Sequence, residues 1–150
     1  MNSVEIRFIL KKLDLCNVYV LPIDQLYKVK RDQPFSVVFN SGKSNSTGVH
    51  WLALYKSNSG PVQFFDSLGQ PIEAYSCELK QFLQVFDEYE VNPFVLQDPT
   101  SECCGAYVIY FLQKRHQRES FDSIIETFSG ELSLNDQFVL KNIYHCALQL

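Results

Sequence analysis

Three histidines, one tryptophan and one methionine are all that this 150-residue chain holds of those residue types. With so little histidine, any imidazole base must be His50, His116 or His145. No Cys-x-x-Cys pair occurs, and the adjacent Cys103 and Cys104 do not easily reach one metal in tetrahedral geometry, so no metal site is expected. No apolar run approaches the ~20 residues that a bilayer-spanning helix needs. Glu5, Arg7, Lys11 and Lys12 interrupt the hydrophobic pattern at the start of the chain, so a signal peptide of the usual kind is not expected. Internal repeats, low-complexity tracts and long linkers are also missing, which leaves one domain over residues 1–150. The net charge is −4, without the basic excess of a dedicated nucleic-acid binder. Residues 1–60 do hold eight Lys/Arg against four Asp/Glu, and a solvated surface accounts for them. Five cysteines, an odd count, do not fit a fully paired secreted framework, so free thiols in a soluble protein of a reducing compartment are expected.

What is present is apolar and aromatic: 46% hydrophobic residues, 14% aromatic, enough for one sizeable core. Ser3 is positioned to cap a first helix whose apolar pattern runs from Val4 to near Asp14. Val18–Leu21 and Phe35–Phe39 read as short strands, and Asn40–Gly48 as a loop of Ser, Asn, Gly and Lys. Val49–Tyr55 and Val62–Asp66 read as a hairpin turned at Ser57–Pro61. Pro71 opens a predicted helix to about Glu88, followed by a short strand at Phe94–Leu96. From Cys104 to about Arg118 the pattern is helical, apolar at first and cationic at the end, where the helix dipole favours positive charge. Helices over 120–128 and 135–149, broken at Ser129-Gly130, complete an α+β domain with a central antiparallel sheet and one buried helix.

The segment Gln97-Asp98-Pro99-Thr100-Ser101-Glu102-Cys103-Cys104-Gly105 delivers a cysteine to the first turn of that apolar helix. Unpaired N–H groups and partial positive charge there favour thiolate over thiol. Gly105 has no Cβ to obstruct a substrate backbone, and Ser101 is a candidate cap. A buried structural cysteine is the plain alternative. Of the histidines, His116 lies twelve residues along the same helix, roughly 18 Å from Cys104 at the usual rise, which excludes it as the base. His145, late in the last helix, reads as a surface or partly packed residue. His50 opens a strand after a flexible loop, where a side chain can face a cleft or simply pack. Asp66 ends the paired strand, so hairpin register brings it beside His50, where a carboxylate can hold the imidazole tautomer. Taken alone, Asp66 is a turn former. Gln97 is a candidate oxyanion donor together with the Cys104 N–H.

Gly48-Val49-His50-Trp51, Phe64-Phe65-Asp66-Ser67-Leu68-Gly69 and Gln97-x3-Ser101-x2-Cys104-Gly105 together resemble the adenovirus-type cysteine endopeptidases (adenain). More broadly they resemble the clan that includes the ubiquitin-like-protein proteases. The order His, acid, Gln, Cys-Gly is the clan's signature, and the resemblance covers most of the chain. It implies a papain-like α+β fold with a central mixed or antiparallel sheet packed on helices and the nucleophile starting a buried helix. It also implies Cys104, rather than Cys103, as nucleophile, His50 as base, Asp66 as third member and Gln97 in the oxyanion hole. Trp51 and Gly105 would then border a narrow substrate cleft.

The implied activity is cleavage of viral capsid or core precursors beside small residues, often glycine, in the virion and host nucleus. The same chemistry on ubiquitin-like tails ending Gly-Gly is the alternative, and an inactive virion or binding protein a more distant one. Three departures stand out. Asp66 replaces the adenoviral Glu, and the chain is shorter. Phe86 stands where a cysteine would bind an activating peptide, and the charge is acidic, so neither a peptide nor a DNA activator is carried over. A compact relative from a smaller adenovirus-like virus or a Polinton-type element fits best, needing reducing conditions, no cofactor, no metal and no membrane.

Overall fold

A computed structural model describes residues 1–47 and 49–148. Gly48, which opens the Gly-Val-His-Trp motif, and residue 149, the expected end of the last helix, lie outside the described residues. The architecture is a five-stranded mixed sheet between two layers. Its strands are β1 (Val18–Pro22), β2 (Phe35–Asn40), β3 (Trp51–Lys56), β4 (Val62–Phe65) and β5 (Tyr89–Val91), arranged in chain order across the sheet. The β2–β3 and β3–β4 pairs are antiparallel, as expected, whereas β1–β2 and β4–β5 are parallel. The helices are α1 (Ser3–Lys12), α2 (Cys77–Leu83), α3 (Cys104–His116), α4 (Phe121–Glu126) and α5 (Leu132–Leu148).

Side chains alternate across a strand, so each strand feeds both layers. Val38, Ala53 and Phe65 face one core with α1, α3, α4 and α5. Val37, Phe39, Leu52, Leu54 and Phe64 face the other, covered by α2 and the 3₁₀ turn Ile23–Lys28. The middle strands are buried on both faces, which is why they read as continuous apolar runs. Helix α3 is the central support: eight consecutive residues from Gly105 to Leu112 are buried. The Phe111 ring stacks on Phe65 of β4, with centroids 4.7 Å apart.

Several boundaries differ from the sequence expectation. Asn2, not Ser3, caps α1, because its side chain accepts from Glu5 N–H while Glu5 reaches back to the Asn2 N–H in a capping box. Ser101 does not cap α3; Cys103 occupies that position, and Ser101 turns to Gln97 instead. Tyr89–Val91 forms the outer strand rather than Phe94–Leu96, since Leu96 N–H is taken by the Ser67 carbonyl. The helix expected from Pro71 to Glu88 is cut to the 3₁₀ turn Ile72–Ala74 and α2, because Tyr75 and Ser76 are extended between them. Beyond α2, Phe86 folds onto Phe35 and Phe82 instead of continuing the helix.

Truncating Phe111 to alanine empties the centre of the α3–sheet interface. A loss of about 3–5 kcal/mol is expected, read as a lower denaturant midpoint at unchanged slope.

Candidate active site

Asp66 follows the last residue of β4, and its backbone is held on both sides by buried Asn92. Asn92 Oδ1 accepts from the Asp66 N–H at 2.9 Å, and Asn92 Nδ2 donates to the Asp66 carbonyl at 2.7 Å. The chain then turns sharply, with the Gly69 N–H donating to the Asp66 carbonyl. Gly69 has φ +61°, and a Cβ there would meet the Phe94 and Val95 backbone at 2.8 Å, so only glycine suits the turn. This turn wraps donors around the carboxylate. Oδ1 accepts from Leu68 N–H, and Oδ2 from Gln70 N–H and the Tyr75 hydroxyl.

His50 lies one residue before β3 and is buried; its Nε2 is 2.7 Å from Asp66 Oδ1. Cys104 lines the same groove as the imidazole, close enough for each group to shift the other's titration. Cys104 is the first residue of α3, with the Trp51 and Gly105 N–H groups directed at its sulfur. The structure thus gathers His50, Asp66 and Cys104 at one point. His116 sits at the far end of α3, bonded to Ser36 Oγ at 2.9 Å, and His145 is exposed on α5.

The charges reinforce one another. Burial favours neutral His50, but hydrogen bonds to Asp66 and Cys104 and their negative charge prevail, raising its pKa to about 9. Burial also works against ionised Asp66, yet His50 and Tyr75 hold the carboxyl below its usual range. For Cys104, burial favours the thiol, while the imidazole and the two backbone donors bring the pKa below the ordinary value. Neighbouring Cys103 moves the other way, pushed up chiefly by burial. Both are free thiols.

Gln97 is 2% exposed and positioned almost entirely through Ser67. The Ser67 carbonyl accepts from Leu96 and Gln97 N–H, and Ser67 Oγ donates to Gln97 Oε1 at 2.6 Å. This fixes the amide's orientation and turns its NH₂ toward Ser101, whose carbonyl and Oγ lie 3.0 and 3.2 Å away. Asn135 and Asp136 of α5 brace the same loop from behind, through the Leu96 carbonyl and the Asp98 N–H.

His50, Trp51, Gln97 and Cys104 line one groove of about 870 Å³, which Arg7 and Met1 also border. The Trp51 indole donates to the Met1 carbonyl at 2.8 Å. Gly105 does not line the groove. The close approach that its missing Cβ permits is taken by Met1, whose side chain would stand 3.0 Å from an added Cβ. Sequence reading did not anticipate Met1, Ser67, Tyr75 or Asn92, and nothing local in the sequence marks them. Among the described residues no cluster of three or more His, Cys, Asp or Glu is arranged to hold a metal ion, and no helix is long and apolar enough to cross a membrane.

No family model and no curated protein sequence matches the chain. Solved structures do. The ASFV pS273R protease aligns over 93% of this chain at 19% identity with a TM-score of 0.53 in its selenomethionine form. A second structure of that protease aligns over 83% at 14% identity with a TM-score of 0.57. The chain spans 66% and 59% of the length of those two protease chains. The SUMO protease Ulp1 aligns over 98% of this chain at 13% identity, but its TM-score of 0.47 is too low to carry an argument. The fold is therefore similar to that of the pS273R protease, a mixed sheet packed on helices.

Alkylation of Cys104 is expected to titrate below the ordinary thiol value of 9.0, because the thiolate is the reactive form. Replacing His50 by alanine removes the donor and its charge, and the midpoint should move up. Iodoacetamide labelling across pH, resolved from Cys103 by mass spectrometry, makes the measurement.

Proposed function

We propose that this chain is a cysteine endopeptidase with Cys104 as nucleophile, His50 as proton carrier, Asp66 as orienting carboxylate and Gln97 as oxyanion donor. One observation carries the reading: the buried 2.7 Å His50–Asp66 pair, set against a cysteine at a helix N-terminus inside a groove. The opposed shifts of His50 and Cys104 favour a thiolate–imidazolium pair near neutral pH. The thiolate attacks the scissile carbonyl carbon, and the carbonyl π electrons move onto oxygen. The Cys104 N–H, unpaired at the start of its helix, and the Gln97 amide receive that negative charge. Gln97 donates to Ser101 in the resting protein, so it must share or surrender one of those bonds. His50 Nδ1 then protonates the leaving amine as the C–N bond breaks. Water, deprotonated by the same nitrogen, adds to the thioester carbonyl; the C–S bond breaks, the acid product leaves, and the thiolate–imidazolium pair is restored.

The substrates we propose are virion precursor proteins, cleaved beside glycine or other small residues, in the virion and host nucleus. The likeness to a protease of ASFV supports the viral reading. Trp51 and Met1, tied together at the groove wall, support the preference for small side chains. No activator enters the proposal: Phe86 is packed into an aromatic cluster with Phe35 and Phe82.

A fluorogenic glycine-containing peptide, assayed under reducing conditions, should be turned over by the wild type and by Cys103→Ala but not by Cys104→Ala. Gln97→Ala should lower kcat by about 10²–10³-fold. Wild-type protein that cleaves neither this peptide nor a ubiquitin-like tail, and whose Cys104 is not selectively alkylated, would reject the peptidase reading.

Activity against pH should be bell-shaped. It rises as Cys104 ionises below 9.0 and falls as His50 loses its proton around pH 9. A plateau continuing well above pH 10 would contradict the imidazolium's role.

A further inference from the structure

We propose that Tyr75 is a positioning residue of the His50–Asp66–Cys104 centre, holding the Asp66 carboxylate through its hydroxyl while its ring lies parallel beside the His50 imidazole. The proposal rests on the peptidase reading for its consequence, though not for its geometry.

Two independent contacts converge on this side chain. The phenol O–H donates to Asp66 Oδ2 at 2.5 Å, the oxygen that does not face His50. The ring lies nearly parallel to the imidazole, 18° between planes, with centroids 6.4 Å apart. Phe64 of β4 meets the same ring edge-on and fixes its tilt. A tyrosine that merely filled space would need neither the hydrogen bond nor the alignment.

The backbone supports the same reading. Tyr75 is extended at φ −104°, ψ 171°, and Ser76 follows at φ −68°, ψ 159°. These two residues break what the apolar pattern reads as one helix from Pro71. An α-helical Tyr75 would continue the preceding turn; the extended backbone delivers the ring to Asp66 and His50 instead.

The consequence follows from the surrounding donors. His50 faces Asp66 from the turn after β4, Cys104 from α3 and Tyr75 from the segment before α2. Asp66 faces His50 and Tyr75, with backbone N–H groups from Leu68 and Gln70 completing its shell. The Tyr75 hydroxyl stays protonated, since burial and the adjacent carboxylate both push its pKa up. It therefore acts as a fixed donor, not as an acid or base. Without that O–H, Oδ2 keeps only the Gln70 N–H and water competes for the carboxylate. Without the ring, the imidazole also loses its parallel aromatic neighbour. Either change weakens the attraction that keeps His50 protonated.

The test reads the imidazole directly, by NMR titration of the three histidines, with His50 assigned by its loss in His50→Gln. In Tyr75→Phe, which keeps the ring, the His50 midpoint should fall by about one pH unit. In Tyr75→Ala it should fall further toward the unperturbed value, while His116 and His145 stay in place. The alkaline limb of peptide cleavage should follow, with kcat reduced by about tenfold at near-constant KM. An unchanged His50 midpoint in Tyr75→Phe and Tyr75→Ala, both with native-like spectra, would overturn the proposal. A shifted midpoint in a protein that cleaves no peptide would sustain the positioning role and sink the peptidase reading instead.

Discussion

The burial of α3 against the sheet is the constraint on which the site depends. Eight consecutive buried residues, packed against α1, α4, α5 and the strands, leave that helix no freedom to slide or rotate. Its first residue, Cys104, is therefore fixed relative to β3 and β4. The two residues opposite it, His50 and Asp66, flank those same strands just outside the paired segments. Hydrophobic packing thus sets the geometry of a polar centre that it meets at Cys104. Within this core the Phe65–Phe111 stack joins β4 to α3.

Around this frame, a smaller set of buried polar groups controls direction. Asn92 clamps the Asp66 backbone, while Leu68, Gln70 and Tyr75 saturate its side chain. Ser67, one residue further on, does the same for Gln97 through its carbonyl and hydroxyl. One turn after β4 therefore positions both the carboxylate and the amide. Buried polar groups are costly unless satisfied, so this network is either complete or destabilising. Every oxygen of Asp66 has a partner, which keeps a charged carboxylate tolerable at 1% exposure.

Much of the fold was legible because its signals are local. The strands at Phe35, Val49 and Val62, the helix from Cys104 and the break at Ser129-Gly130 all follow from apolar runs and turn residues. The failures share one cause. The helix predicted from Pro71 is broken at Tyr75 by a contact with a residue nine positions back, and the expected strand at Phe94 is displaced by the Ser67 carbonyl's hold on Leu96. Ser101 looked like a cap and instead serves Gln97. In each case one specific hydrogen bond outweighed a local preference worth about 1 kcal/mol or less.

The same division runs through the candidate site. Residue type and position pointed to Cys104 and His50, because so few histidines were available and helix rise alone removes His116; hairpin register added Asp66, and the family resemblance gave Gln97 its weight. That these four converge, with His50 Nε2 on Asp66 and Cys104 lining the same groove as the imidazole, was decided by the packing of α3 on the sheet. Tertiary structure alone also brought in Tyr75, Ser67, Asn92 and Met1, and turned the open face expected at Gly105 into a contact with Met1. The physical reason is range: periodicity and capping act over one or two turns, whereas these partners stand 9 to 104 residues apart along the chain and meet only when the core closes.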